Sequence, residues 1–205
     1  MTAYEPQPRR SFLPAFSHPH EQPWLVLDRD GTLVRECHYL CHPDQLELLP
    51  GVVPGLRMLA QYGVPLVVVT NQSAVGRGML DHAQLGRIHA RLDWLLQQHG
   101  VRLQGIYYCP HRPEDGCRCR KPAPGLLEEA ARDLGLDPAQ AVVVGDKPCD
   151  VELALGVGAT GVLVRTGYGA QYEQQGYDKA QLVADDLHQV ARWLLSHRLA
   201  LPRAA

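Results

Sequence analysis

The chain reads as an α/β protein, a doubly wound and mostly parallel sheet with helices on both faces. Three observations predict this. Short apolar runs recur and end abruptly in polar clusters. Stretches with helical spacing separate those runs. The composition, 45% hydrophobic and 20% charged over 205 residues, is that of a globular domain with enough chain to bury a real core. Alternating strands and helices imply parallel strands joined by right-handed crossovers.

In chain order, residues 1–23 carry prolines at 6, 8, 14, 19 and 23 and no periodic apolar pattern. They bury too little surface to offset the entropy of ordering, and are expected to form a loose leader ahead of a single domain over residues 24–205. Trp24 to Leu27 is a buried-strand run that ends in Asp28-Arg29-Asp30-Gly31. Val52, Val53, Leu56 and Leu59 then repeat at helical spacing. Leu66 to Val69 is a second strand, ending in Thr70-Asn71. Leu85, Ile88, Leu92 and Leu95 mark a second helix, and Gly105 to Tyr108 a weaker strand. Leu126, Leu127, Ala130, Ala131 and Leu134 form a third amphipathic stretch. Val142 to Val144 runs into Gly145-Asp146-Lys147, and Val162 to Val164 into Arg165-Thr166. Polar residues at several strand ends would meet in one crevice at the topological switch point.

Charge and patterning exclude several classes. Twenty Lys and Arg against 22 Asp and Glu leave a formal charge of −2, so a nucleic-acid partner, which needs a basic surplus or stripe, is not expected. The longest apolar runs fall far short of the roughly 18 residues that span a bilayer, so neither is a membrane. Arg9 and Arg10 are followed by Ser11-Phe12-Leu13-Pro14 rather than a continuous apolar signal core. Six cysteines without an export signal read as thiols or metal ligands, and the expected compartment is the cytoplasm.

The carboxylates carry the chemistry. Asp28 and Asp30 stand two apart just past a strand, where Gly31 permits a tight turn. A turn of Asp and Gly after a strand is ordinary in itself. A calcium loop is excluded, because its twelfth position, counted from Asp28, is Tyr39 and not Glu. Thr70 after the second strand, Lys121 ahead of a helix and Asp146 after another strand complete the set. Together they supply a carboxylate nucleophile, a second acid, a hydroxyl donor, a lysine for phosphoryl oxygens and a further carboxylate for a hard divalent cation. Lys121 alone could be a solvated charge and Thr70 a strand-end cap.

A second cluster is separate from these acids. Cys109 and His111, then Cys117 and Cys119, give three thiols and one imidazole on either side of a short gap, a set suited to tetrahedral zinc. With all four positions filled by protein, such a site over residues 109–119 is structural, fixing a segment that has little to pack. The pairs Cys37-His38 and Cys41-His42 are expected to be packed or solvated rather than metal-bound, and Cys149 to be a small buried apolar residue.

In Asp28 to Thr32, Thr70, Lys121 and Asp146, taken in order, the chain resembles the haloacid dehalogenase superfamily of aspartate-nucleophile phosphatases. The likeness runs from about Trp24 to about Thr166. The resemblance implies a Rossmann-like, haloacid dehalogenase-like fold without a cap domain, the zinc loop standing in for it. It implies Asp28 as nucleophile and Asp30 as acid and base. Magnesium would be held by Asp28, the backbone carbonyl of Asp30, and Asp146, with Asp150 more remote. Thr70 and Lys121 would bind the transferring phosphoryl group, and Lys147 would pair with Asp28 or the substrate. Glu36, Cys37, His38, Tyr39, Asn71, Gln72, Ser73 and Arg120 would surround a sugar.

Further matches at Arg77-Gly78, at Tyr107 to His111 and at Cys117 to Pro122 are similar to the branch that dephosphorylates heptose bisphosphates in carbohydrate metabolism. The histidinol-phosphate phosphatases, or another sugar-phosphate phosphatase, are the alternative. A phospho-accepting signalling domain, with a persistent acyl-phosphate, is the alternative of a different class. The expected partner is a small phosphorylated sugar, and the expected state a monomer.

Overall fold

The computed structural model describes residues 23–197; the expected leader lies almost wholly outside the described residues. Six parallel strands form one sheet in the order β3-β2-β1-β4-β5-β6. They are β1 (Trp24–Leu27), β2 (Leu66–Asn71), β3 (Gly105–Cys109), β4 (Ala141–Gly145), β5 (Thr160–Val164) and β6 (Leu182–Ala184). Helices α1 (Val52–Gln61), α2 (Ser73–Gly76), α3 (His82–Gln97), α4 (Gly125–Leu134), α5 (Pro148–Gly156), α6 (Gly169–Gln174) and α7 (Leu187–His197) intervene.

Strand parity builds two cores. Leu25 and Leu27 of β1, Leu66 and Val68 of β2, and Val142 and Val144 of β4 face α1, α3 and α7. Trp24 and Val26, Val67 and Val69, and Ala141 and Val143 face the other way, against α4 and α5. Because successive side chains of a strand point to opposite faces, a sheet covered on both sides needs runs apolar at every position. That is why β1, β2 and β4 lack polar alternation. The amphipathic helices fall where their spacing predicts: Val52, Leu56 and Leu59 of α1 and Leu126, Leu127, Ala130 and Ala131 of α4 are buried.

Five of the described elements, β6, α2, α5, α6 and α7, have no counterpart among the stretches singled out in the sequence. β6 is only three residues long, α2 only four, and α7 packs against α1 through Leu187, Val190, Ala191 and Leu194, a helical spacing that was there to be seen.

The order places β1 between β2 and β4. The chain winds outward from β1 through β2 to β3, then returns to its other side for β4. Loops leaving β1 and β4 therefore diverge and open a crevice at their C-terminal ends. No helix among the described residues is long and apolar enough to cross a membrane.

Candidate active site

The crevice is a cleft of about 220 Å³ lined by Asp28, Asp30, Thr70, Gln72, Arg120, Lys121 and Lys147, among others. Asp28 is the first residue after β1, and its backbone N–H donates to the Val144 carbonyl at 2.9 Å, so the sheet register itself aims it. Thr70 lies within β2, and Asp146 follows β4 directly. One oxygen from each of Asp28, Asp146 and Asp150 lies within 4.8 Å of the other two.

Lys121 holds this cluster from the α4 side. Its buried Nζ donates to Asp28 Oδ1 at 2.8 Å and to the Val69 carbonyl at 2.7 Å, and forms an ion pair with Asp150 Oδ1 at 2.6 Å. Asn71 fixes the lysine backbone: its Nδ2 donates to the Lys121 carbonyl at 3.2 Å, and its Oδ1 accepts from the Lys121 N–H at 3.0 Å.

Burial alone would push the Asp28 carboxyl up, but the charges of Lys121 and Lys147 outweigh it and hold Asp28 below the usual carboxylate range. Asp146 is pushed up to about 7, by burial first and then by the charge of Asp28. Burial, with Asp28 adding, takes Asp150 up to about 6 against the pull of Lys121. Burial works against the charge on Lys121, yet Asp150 and Asp28 hold its ammonium well above the ordinary lysine range.

Three buried carboxylates so close together repel one another, and a hard divalent cation removes that repulsion. Small residues make the room. A Cβ at Gly31, where φ is +82°, or at Gly167 would stand 2.2 Å from Asp146 Oδ2. The Tyr168 N–H donates to the same oxygen at 2.9 Å, leaving the rest of the carboxylate for other partners.

Asp30 sits at the cleft mouth. Its Oδ2 accepts from Arg29 Nη2 and from Gln72 Nε2, both at 2.8 Å, and Gln72 also donates to Thr70 Oγ1 at 2.9 Å. Lys147, expected to pair with Asp28 or the substrate, is turned toward Asp146 and Glu36. Its Nζ reaches Asp146 Oδ1 at 3.2 Å and Glu36 Oε2 at 3.0 Å, and stands 5.0 Å from the Tyr168 ring centroid.

Glu36, His38, Tyr39, Asn71, Gln72, Ser73 and Arg120, expected around the substrate, all line the cleft. Cys37 does not: it is exposed, and its thiol turns back to the Arg35 carbonyl at 3.6 Å. Cys149 departs from the expected buried apolar residue. It is half-buried in the cleft lining, its thiol pushed up to about 12 by burial and then by the charge of Asp150. Tyr168 was not foreseen, since no apolar run or acid motif marks it.

The four soft ligands meet beside the cleft. Cys109 Sγ lies 3.5 Å from Cys117 Sγ and 3.2 Å from Cys119 Sγ, and His111 Nδ1 lies 3.2 Å from Cys119 Sγ. Separations near 3.5 Å, far longer than an S–S bond, are those of ligands around one tetrahedral ion, so this Cys/His cluster can hold zinc. The loop is clasped from outside: Arg112 Nε donates to the Gly76 carbonyl at 2.7 Å, and the Gly76 N–H to the Pro110 carbonyl at 2.9 Å. Arg120 Nη1 returns to the His111 carbonyl at 3.3 Å, so the ligand loop and the cleft-lining arginine are one unit.

A parallel sheet with this strand order and an aspartate pair, threonine, lysine and acid at its switch point defines a phosphatase of the haloacid dehalogenase class. Residues 118–190 match the HAD-hydrolase-like family. The chain is 37% identical over 190 residues to the D-glycero-beta-D-manno-heptose-1,7-bisphosphate 7-phosphatase of Yersinia pestis, covering 89% of this chain and 94% of the relative. It is 43% identical over 171 residues to the enzyme of the same name from Haemophilus ducreyi, covering 80% and 93%. The crystal structure of D,D-heptose 1,7-bisphosphate phosphatase from B. bronchiseptica, complexed with magnesium and phosphate, superposes with a TM-score of 0.80 at 37% identity, covering 85% of this chain and 99% of that one. The chain belongs to this family of heptose-bisphosphate phosphatases.

Proposed function

We propose that the protein removes the 7-phosphate of D-glycero-D-manno-heptose 1,7-bisphosphate, with Asp28 as the nucleophile. The observation that carries this is the Asp28 carboxylate, held ionised by Lys121 beside Asp146 and opening on a cleft at the switch point. The names of the relatives support the substrate.

An Asp28 oxygen attacks phosphorus in line, and the bond from phosphorus to the sugar oxygen breaks. Asp30 gives that oxygen its proton. In the second half, water attacks phosphorus, the bond to Asp28 breaks and inorganic phosphate leaves, while Asp30 takes the proton of the water. Lys121 and Thr70 hold the phosphoryl oxygens. Asp28, the Asp30 carbonyl and Asp146 would hold magnesium, which when bound supplies the positive charge that offsets the nucleophile and the transferring group. Asp150 serves by keeping Lys121 in place. Glu36, His38, Tyr39, Asn71, Gln72, Ser73, Arg120 and Lys147 contact the sugar and its remaining phosphate.

The same reading takes the domain expected over residues 24–205, as far as it is described, as one catalytic unit with the zinc loop at 109–119, and takes the protein as a monomer, since one chain supplies every group named. A cytoplasmic setting is supported by the zinc thiols, which need a reducing compartment.

The test is phosphate release with magnesium from the heptose bisphosphate and, side by side, from histidinol phosphate. Faster turnover of histidinol phosphate overturns the substrate. Asp28→Asn should be inactive while still folding and unfolding in one cooperative transition; an active variant overturns the nucleophile.

A further inference from the structure

Arg29 has no part in the steps above, yet it is completely buried. Its Nε lies 3.2 and 3.1 Å from the two oxygens of Asp30 and its Nη2 lies 2.8 Å from Oδ2, while the same Nη2 donates to Gln72 Oε1 at 2.8 Å. Gln72 Nε2 closes a ring by donating to Asp30 Oδ2. Both oxygens of the carboxylate are thereby held by a planar, bidentate fork.

Burying a guanidinium is costly, and a residue kept only for packing has no need of one. Arg29 Nη1 moreover has no hydrogen-bond partner among the described residues, so the group is not placed to satisfy its own donors. The turn itself does not depend on the side chain: the Arg29 carbonyl accepts the N–H groups of Leu33 at 2.9 Å and Val34 at 3.0 Å.

We infer that Arg29 is a positioning residue that acts through Asp30, holding its carboxylate where it meets the leaving oxygen of the substrate. This rests on the role proposed for Asp30. Without the fork, Asp30 is a partly exposed side chain on a turn with only Gln72 left to hold it.

Leaving-group dependence tests it. Transfer to Asp28 needs a proton donor when a sugar hydroxyl departs and none when p-nitrophenolate does. Arg29→Met should lower kcat/KM, which reports transfer to Asp28, roughly 100-fold for the heptose bisphosphate and by less than about threefold for p-nitrophenyl phosphate. Arg29→Lys, which keeps charge and stem, should recover part of the loss and serves where the methionine variant does not fold. Equal losses on both substrates, as a purely structural role would give, overturn the inference. So does an experimental structure of the intact enzyme with the guanidinium beyond hydrogen-bond reach of Asp30. The two failures are distinguishable: an Asp30→Asn variant that loses equally on both substrates sinks the acid role on which the inference rests, whereas a leaving-group-dependent Asp30→Asn beside a leaving-group-indifferent Arg29→Met sinks only the positioning role.

Discussion

Lys121 is bound on three sides, by Asp28, Asp150 and the Val69 carbonyl. Replacing it with methionine keeps most of the volume but leaves two buried carboxylates without their counter-charge. Breaking a buried pair in this way costs about 3–5 kcal/mol, because the charge left behind is uncompensated. Lys121→Met should therefore lower the urea midpoint clearly and cut phosphate release by at least about 100-fold. A variant of normal stability would show that Lys121 is not the partner the distances make it. Asp28, Asp30 and Asp146 just past strands and Lys121 ahead of a helix were legible as candidates because together they supply the groups that phosphoryl transfer needs. The turn of Lys147 toward Glu36, the Cys149 thiol in the cleft and the Arg29 fork were not, since they depend on rotamers set by residues far away in sequence.

At the scale of elements, the loops determine whether those side chains meet. Within the zinc loop the regular structure is a three-residue 3-10 turn at Pro113–Asp115, whose residues are not buried, so the ligands and a few hydrogen bonds to the loop's edges, not packing, fix it. Cys117→Ser should bind less than one zinc per chain by metal analysis and lose roughly 10- to 100-fold in activity, because Arg120 and Lys121 follow directly. Full zinc occupancy in this variant would remove Cys117 from the ligand set.

The turn after β1 is equally constrained. Gly31 has φ +82°, and an alanine Cβ would meet Asp146 Oδ2 at 2.2 Å. Gly31→Ala should cost about 1–3 kcal/mol in thermal unfolding and weaken magnesium binding. An alanine variant with native stability and magnesium affinity would show that this turn tolerates a side chain. The glycine was legible as a turn residue and Asp146 as an acid; their close approach was not, because β4 arrives beside β1 only through the fold. The soft ligands were legible from spacing alone, whereas β6 was too short to give an apolar run.

For the whole molecule, the strand order concentrates negative charge at one edge of the sheet, and the stability of the protein should record it. Asp146 and Asp150 ionise at about 7 and about 6 in the folded chain, both above the usual aspartate value, the first cause in each being burial. Between about pH 4 and 7 the folded state therefore binds protons that the unfolded chain has released, and stability falls as pH rises through that window. Asp28 shifts the opposite way, and its contribution is lost only in acid, below this range. Lys121 and Lys147 are raised, and their contributions are lost only in alkali. The protein stripped of divalent cations should consequently melt at a higher temperature at pH 5 than at pH 8, all other conditions equal. Magnesium competes with those protons, so its stabilising effect should be larger at pH 8 and should narrow the difference. Differential scanning calorimetry at the two pH values, with and without magnesium, checks both statements. A cation-free protein that is more stable at pH 8 would mean that the three carboxylates do not share one buried cluster, and with it the convergence of β1 and β4 on a single cation would be lost.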